Sequence, residues 1–239
     1  MAGLYEGGNE PAGSLKISLG IIDFEFWRPI FRQNWARLEP YKTLSIKLER
    51  ERHPFWSDTA IKKEAKRRFE KAARKFLYSS LKSVKEMRPN SQWGYYMYPY
   101  CFNYSPDNMT PYCPRQVQIE NDEMNWLFSL TDTMYPSIFL RKNLLLTKIQ
   151  LNFFVKGRLG EALRIADKID EPKPTVNAHF WYKYKDVDQF VSEVNTNLKL
   201  NYIRLNPWRK NPWNAKVNKI TVDLTFTCLS RGELSSNND

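Results

Sequence analysis

Apolar residues along the chain follow two periodicities, one typical of strands and one typical of helices. The stretch 20–26 is rich in β-branched and aromatic residues, which predicts a buried strand. Residues 92–98, 135–140 and 176–184 have the same character and predict three further strands. The segments between them are long enough to hold helices.

Helical spacing of apolar residues predicts a long helix over residues 59–87, with Ser57 and Asp58 as its N-terminal cap. Shorter helices are predicted at 124–128 and 157–169, and a turn is predicted near residues 39–40. Strands that alternate with helices indicate an α/β fold with a mostly parallel sheet, either a barrel or an open sheet. In such barrels the functional groups lie at the C-terminal ends of strands.

Two carboxylates, Asp23 and Glu25, interrupt the first predicted strand. On a strand, residues two apart point to the same face and lie roughly 6–7 Å apart. If both are buried, at least one must hold a proton near neutral pH, and a protonated acid beside an ionised one suits acid-catalysed glycoside cleavage. Taken by itself, the pattern is explained more simply by surface carboxylates that pair with lysine or arginine.

Composition narrows the class of partner. The chain has 239 residues, enough for one large domain, and its aromatic content of 15% suits stacking on sugar rings as well as a core. Its net charge of +11 favours a polyanionic partner, either nucleic acid or an acidic polysaccharide. No nucleic-acid-binding motif is present. Much of the excess charge lies at 62–75 with helical spacing, and we interpret this run as a solvated helix face.

Cysteine and histidine offer little catalytic chemistry. Cys101, Cys113 and Cys228 are too scattered for a zinc site, so no metal is expected. Cys101 and Cys113 flank a loop rich in Pro, Asn and Asp that can close as a local disulfide. Catalysis by histidine is disfavoured, because His53 precedes a proline at a predicted helix entry and His179 lies in the fourth predicted strand.

The loop between the first two cysteines also carries two N-glycosylation sequons, at Asn103 and Asn108. Two sequons in a cysteine-bounded loop predict a secreted protein, since disulfides persist in the secretory pathway. Residues 1–13 are glycine-rich and lack an apolar core, so they predict neither a signal peptide nor a membrane span.

Several motifs occur in a fixed order between residues 18 and 186. They are D-F-E-F-W-R-P at 23–29, R-H-P-F-W at 52–56, W-G-Y-Y-M-Y-P-Y-C at 93–101, E-N-D at 120–122, W-L-F at 126–128, P-S at 136–137, G-R at 157–158 and W-Y-K-Y at 181–184. In this order and near this spacing, they resemble the hyaluronidases of insect venoms and animal tissues.

The resemblance implies a distorted TIM-like (β/α) barrel that hydrolyses hyaluronan without a cofactor. Cleavage is expected at β-1,4 bonds between N-acetylglucosamine and glucuronate, with chondroitin as a further candidate substrate. Residues 17–186 would form the barrel core, between a flexible segment at 1–16 and a divergent segment at 187–239. The barrel is expected to be incomplete, because the family's first two strands, which would precede Ile17, have no counterpart.

The resemblance also implies roles for individual residues. In this family the acetamido oxygen of the substrate attacks the anomeric carbon, so the protein supplies no nucleophile. Glu25 matches the general acid that protonates the leaving oxygen and later activates water, and Asp23 matches the residue that orients the acetamide. Tyr96 matches an aromatic residue that hydrogen-bonds near that group. Arg28 and Arg158 match basic positions near the groove, as partners of glucuronate carboxylates.

The chain departs from the family at specific positions. Phe139 stands where the family has a tyrosine beside the acetamide, which removes one hydroxyl. Cys101 and Cys113 match a family disulfide, whereas Cys228 lacks its N-terminal partner. Two functions therefore remain open, an active hyaluronan hydrolase and a hyaluronan-binding relative that has lost turnover.

Overall fold

Short parallel strands form the centre of the fold. The computed structural model of the chain describes residues 2–4, 19–104, 109–144, 146–181, 183–191 and 225–226. Its strands are β1 (Ala2–Leu4), β2 (Leu19–Ile22), β3 (Gln92–Tyr95), β4 (Thr133–Met134), β5 (Thr175–Val176), β6 (His179–Phe180) and β7 (Thr225–Phe226). Three of the four predicted strands overlap an observed strand that is shorter than the apolar run. The third, predicted at 135–140, holds only the bridge residues Tyr135 and Ser137, because β4 ends at Met134.

From β2 onward, the paired strands run parallel to each other. β2 pairs with β3, and β4 pairs with β5, in both cases in parallel. Beyond the strand ends, parallel bridges join Tyr96 to Tyr135 and Ser137 to His179. The first bridge links β3 to β4 and the second links β4 to β6. β6 in turn pairs with β7, and this pair continues the series of parallel neighbours. Among the described residues the series stays open, and a closed barrel is not formed.

β1 covers the outer edge of β2. Gly3 lies opposite Ile21 in an antiparallel pair, which satisfies backbone groups that an edge strand would otherwise expose. Residues 2–4, which belong to the segment predicted to be flexible, thus find backbone partners on the edge of β2. Residues 5–18 lie outside the described part of the chain.

Five α-helices of the described residues pack around the strands. They are α1 (Glu39–Arg52), α2 (Asp58–Met87), α3 (Arg115–Glu123), α4 (Asn125–Phe128) and α5 (Lys148–Lys168). The long predicted helix is confirmed as α2, and the side-chain oxygen of Ser57 accepts a hydrogen bond from the Ala60 amide at its N-terminus. α4 is also confirmed. α5 begins nine residues before the predicted start, at a capping box formed by Thr147 and Gln150.

α1 is the main error in the predicted elements. The turn predicted near Glu39 is instead the start of a helix, with Pro40 in its first turn. Proline suits that position because its fixed φ matches the helix and its missing amide has no intrahelical partner there. α1 packs against α2, and it places its first turn next to the C-terminal end of β2.

α2 attaches to the strands through one apolar stripe. Leu77 and Leu81 join a buried cluster with Trp93 and Tyr95 of β3, and the Tyr95 hydroxyl donates to the Leu77 carbonyl at 3.0 Å. The opposite face carries the basic residues of the run at 62–75, all of them exposed. The interpretation of this run as a solvated helix face is confirmed.

Asn103 is a packing residue. Its side chain is completely buried, and Nδ2 donates to the carbonyls of Thr110, Phe153 and Phe154 at 3.1–3.2 Å. An N-linked glycan would occupy this nitrogen, so the expected glycan at Asn103 is incompatible with the structure. The second sequon, Asn108, lies outside the described residues.

Two glycines of α5 provide a matched test of this packing. A Cβ at Gly157 would lie 2.2 Å from Nδ2 of Asn103, whereas a Cβ at Gly160 would meet nothing within 4 Å. We expect Gly157→Ala to lower the free energy of unfolding by about 1–3 kcal/mol and Gly160→Ala to raise it by about 0.5–1 kcal/mol. Urea unfolding of both variants checks this, and equal effects from the two would contradict the packing role of Asn103.

Candidate functional site

Asp23 and Glu25 lie immediately beyond the C-terminal end of β2. The ladder between β2 and β3 ends with the Tyr96 amide, which donates to the Ile22 carbonyl at 3.0 Å. After Ile22 the chain leaves the sheet, so the carboxylates project from a loop instead of a strand. Asp23 is exposed and Glu25 is half-buried. Burial of both carboxylates, the condition under which one of them must hold a proton near neutral pH, is therefore not met.

The alternative explanation of this pair, surface ion pairing, finds no support either. No lysine, arginine or histidine side chain of the described ranges forms a salt bridge with Asp23 or Glu25. Two adjacent carboxylates without a cationic partner are electrostatically unfavourable, which makes them candidates for a functional role.

A cleft of about 430 Å³ contains both carboxylates. Its other lining residues are Phe26, Arg37, Leu38 and Tyr41. The last three come from a short 3-10 helix (Ala36–Leu38) and from the first turn of α1. Sequence reasoning missed these residues, because the segment that carries them reads as an irregular connection and a turn.

Tyr96 adjoins the carboxylates from the next strand. It follows β3 and is almost fully buried, and its hydroxyl lies 3.5 Å from Oγ of Ser137. Burial raises the pKa of the Tyr96 hydroxyl well above its usual value, and the negative charges of Glu25 and Asp23 raise it further. The hydroxyl is thus neutral and close enough to both carboxylates to sense their charge.

The rings of Phe139 and His179 pack against the ring of Tyr96. The Phe139 ring lies 6.1 Å from that of Tyr96 and 5.3 Å from that of His179, and the rings of His179 and Tyr96 meet edge-on at 5.0 Å. Phe139 therefore stands beside Tyr96 and presents carbon where a tyrosine would present a hydroxyl. His179 lies in β6 and packs among these rings, in agreement with its interpretation as a structural residue.

Arg28 does not line the cleft that contains the carboxylates. Its Nη1 donates to the Gln33 carbonyl at 2.7 Å, and the guanidinium lies over the Trp35 ring at 4.6 Å. It also lies 5.1 Å from the ring centres of Tyr100 and Phe102. The side chain expected to bind substrate is instead enclosed by aromatic rings, and it fixes the loop after Glu25 in place.

Arg158 is likewise engaged within the protein. Its Nη1 donates to the Ser137 carbonyl, and the guanidinium lies 4.7 Å from the centre of the Phe154 ring. Burial lowers the pKa of Arg158 from its ordinary high value. Like Arg28, it is absent from the lining of the carboxylate cleft.

Cys101 and Cys113 are both buried, and they are free thiols in the structure. The expected disulfide is thus not formed there, although the two side chains interact directly. The contact with Cys101 and burial together raise the pKa of the Cys113 thiol far above its ordinary value. Cys228 lies outside the described residues.

Neither a metal site nor a membrane-spanning helix is found in the part of the chain that the structure describes. No three His, Cys, Asp or Glu side chains there are grouped so that they can hold a metal ion. None of the helices described above has both the length and the apolar content needed to cross a membrane.

His179 predicts a pH dependence of stability. Burial lowers its pKa to about 4, whereas an unfolded histidine titrates near 6.5. Between these values the unfolded chain binds a proton that the folded chain does not, so stability falls as the pH falls through this window, by about 3 kcal/mol.

Urea midpoints measured between pH 7 and pH 4 test this expectation. Carboxylates also titrate in the acid part of the range, so the informative quantity is the difference between variants. His179→Gln should flatten the slope relative to the parent protein. An unchanged slope in His179→Gln would show that His179 takes up its proton as readily in the folded protein as in the unfolded chain.

Comparison with known proteins connects this site to one family. The family model for hyaluronidases matches residues 13–198. A hyaluronidase of Apis mellifera is 49% identical over 168 residues, which are 70% of this chain and 44% of that protein. A hyaluronidase of Vespa magnifica is 44% identical over 189 residues, 79% of this chain and 52% of that protein. The chain thus spans about half the length of these relatives.

Solved structures give the same result. Bee venom hyaluronidase in complex with a hyaluronic acid tetramer matches with a TM-score of 0.75 and 45% sequence identity. The match covers 79% of this chain and 58% of the bee venom chain. The motif resemblance is therefore confirmed both by sequence and by structure.

Proposed function

Because the chain belongs to the hyaluronidase family of glycoside hydrolases, we propose that it hydrolyses hyaluronan at the β-1,4 bonds between N-acetylglucosamine and glucuronate. The observation that carries the proposal is the cleft in which Asp23 and Glu25 lie together, without an ion pair in the described ranges and next to Tyr96. The hyaluronic acid tetramer bound to the bee venom relative supports the choice of substrate. The same cleft makes chondroitin a second substrate to test.

The proposed reaction has two steps. In the first, the acetamido oxygen of the substrate attacks the anomeric carbon while Glu25 gives its proton to the leaving glycosidic oxygen, so that the carbon–oxygen bond breaks. In the second, Glu25 takes a proton from water, which attacks the same carbon and releases the acetamide. Two displacements on one carbon retain its configuration. Glu25 ends each cycle protonated, ready for the next.

Asp23 and Tyr96 would act on the acetamide. Asp23 would accept a hydrogen bond from the acetamide nitrogen, which fixes the group and increases the negative charge on its oxygen. Tyr96, held neutral by burial, would donate a hydrogen bond near the same group. Phe139 contributes packing to Tyr96 and no hydroxyl, so fewer polar contacts to the acetamide are available than in the family pattern.

We extend the proposal to the fold and the location of the protein. The open series of parallel strands would belong to a distorted barrel with residues 17–186 as its core, which is supported by the match to bee venom hyaluronidase. A venom enzyme among the relatives likewise supports secretion. The buried Asn103 removes one of the two sequons from that argument.

The test is incubation of the purified chain with hyaluronan at acidic and neutral pH. We expect new reducing ends, products that end in N-acetylglucosamine, and retention of the anomeric configuration by NMR. Inversion at the anomeric carbon would contradict substrate assistance. Binding of hyaluronan by the folded chain without any new reducing ends would favour the inactive, hyaluronan-binding relative.

A further inference from the structure

The carboxylate cleft poses an electrostatic problem for an anionic substrate. Hyaluronan carries one carboxylate in each disaccharide, and Asp23 and Glu25 already place two carboxylates in the cleft. Like charges in a partly enclosed site repel each other more strongly than they do in water. A positive charge in the same cleft would offset this repulsion. Arg28 and Arg158, the basic residues that the family resemblance suggests, do not line it.

Arg37 is the cation that lines this cleft. Its side chain is exposed, and it forms no ion pair with the acidic residues of the described ranges. The nearby Lys42, in contrast, pairs with Glu39 at 2.8 Å. Arg37 therefore offers a free guanidinium, whose planar donors match the geometry of a carboxylate.

The backbone that carries Arg37 is held on both sides. The residue after it, Leu38, is buried, and its amide donates to the Trp35 carbonyl at 3.1 Å. Trp35 packs edge-on against Phe102 at 4.6 Å. The guanidinium is thus free at the end of an anchored segment, so little backbone order must be gained when an anion binds.

Phe26 provides an apolar surface in the same cleft. Its side chain is 68% exposed, although the ring is large and apolar. The Phe24 ring, 5.6 Å away, supports it and packs in turn on Trp27 at 4.8 Å. An exposed aromatic ring on a packed base is the arrangement that suits contact with the apolar face of a sugar.

We propose that Arg37, Phe26 and Tyr41 form a sugar subsite in the carboxylate cleft. Arg37 binds the carboxylate of a glucuronate, and Phe26 packs against the face of a neighbouring sugar ring. Tyr41, half-buried in the first turn of α1, presents its hydroxyl to the same sugars. The proposal rests on the proposed function, because it takes hyaluronan as the ligand.

The test separates charge recognition from turnover. Binding is measured by calorimetry in the Glu25→Gln background, so that no ligand is consumed. The two probes are a hyaluronan hexasaccharide and the same hexasaccharide with its carboxylates reduced to alcohols. We expect Arg37→Gln to weaken binding of the charged probe about 5- to 20-fold and to leave binding of the reduced probe unchanged.

Two further variants sharpen the comparison. Phe26→Ala should weaken binding of both probes by the same factor, since its contact with the sugar is apolar. Arg115→Gln, at the exposed start of α3, removes the same charge outside the cleft and should change neither affinity. In otherwise unaltered protein, Arg37→Gln should raise KM for hyaluronan with kcat within twofold.

The possible results separate failure of the proposed subsite from failure of the proposed function. If the chain binds hyaluronan and Arg37→Gln binds both probes as tightly as its parent, the subsite is wrong and the proposed function stands. Equal losses for the two probes would mean that Arg37 does not recognise the carboxylate. If the Glu25→Gln protein with Arg37 intact binds neither probe, both the proposed function and the proposed subsite are wrong.

Discussion

Replacement of Glu25 by glutamine should lower turnover of hyaluronan by about 10²–10⁴-fold, the range that a positioned general acid contributes. Glutamine has nearly the same shape, but its amide cannot give a proton to the leaving oxygen or take one from water. Because the side chain is only half-buried and makes no ion pair within the described ranges, the substitution should not disturb the fold. Initial rates of reducing-end release check this expectation.

Glu51→Gln is the matched control. Glu51 is an exposed glutamate of α1 whose only recorded partner among the described residues is Lys47 at 4.0 Å, so turnover and thermal stability should both be unchanged. A Glu25→Gln variant that retains more than a tenth of the parent rate would contradict the assignment of Glu25 as the acid. A large loss of thermal stability in Glu25→Gln would instead assign the residue a structural role.

Asp23 and Glu25 could be identified from sequence because their signal is local. Both carboxylates stand within one apolar run, and their position at the end of a parallel strand follows from the alternation of strands and helices. Arg37 and Tyr41 could not be identified in this way. They reach the cleft because the 3-10 helix and the first turn of α1 lie beside the loop that follows β2. The proline that starts α1 reads equally well as a turn signal.

Local sequence signals also predicted the start of α2 more accurately than the start of α5. α2 has an uninterrupted apolar stripe and a serine cap, and its predicted start differs from the observed one by a single residue. α5 begins at Lys148, where the first residues are exposed and Ile149 lies on the outside, although Leu151, Phe154 and Val155 then follow at helical spacing and are buried. The available signal was the capping box of Thr147 and Gln150, whose side chains bond each other's backbone amides.

Contacts between residues that are distant in sequence decide what each residue of a motif does in the folded protein. Asn103 satisfies the sequon rule, yet three carbonyls, two of them from α5, occupy its amide nitrogen. Arg28 belongs to the motif around the carboxylates, yet three aromatic rings surround its guanidinium. A motif fixes which residue types are present, and only the fold determines which of their polar atoms are left for a substrate.

Loss of Glu161 should be the most destabilising single change among the charged residues of the core. Its side chain is 1% exposed and accepts hydrogen bonds from Asn121 Nδ2 at 2.7 Å and from Arg164 Nε at 2.8 Å. Glu161→Ala removes a buried acceptor from both donors, which should cost about 3–5 kcal/mol, even though Asn121 keeps the Tyr100 carbonyl and Arg164 keeps Asp122. For a chain of this size, the melting temperature should fall by about 6–20 °C.

Glu123→Ala is the control, because Glu123 ends α3 at the surface and forms no ion pair with the described residues. It should change the melting temperature by no more than a degree or two. The double variant Glu161→Ala/Arg164→Ala should recover part of the loss, since it also removes the Nε and Nη2 donors that lose Glu161, although Arg164 keeps its ion pair with Asp122 at 2.7 Å in the single variant. If the double variant recovers no stability, the loss in Glu161→Ala comes mainly from the Asn121 side chain, which joins α3 to the Tyr100 carbonyl at 2.9 Å.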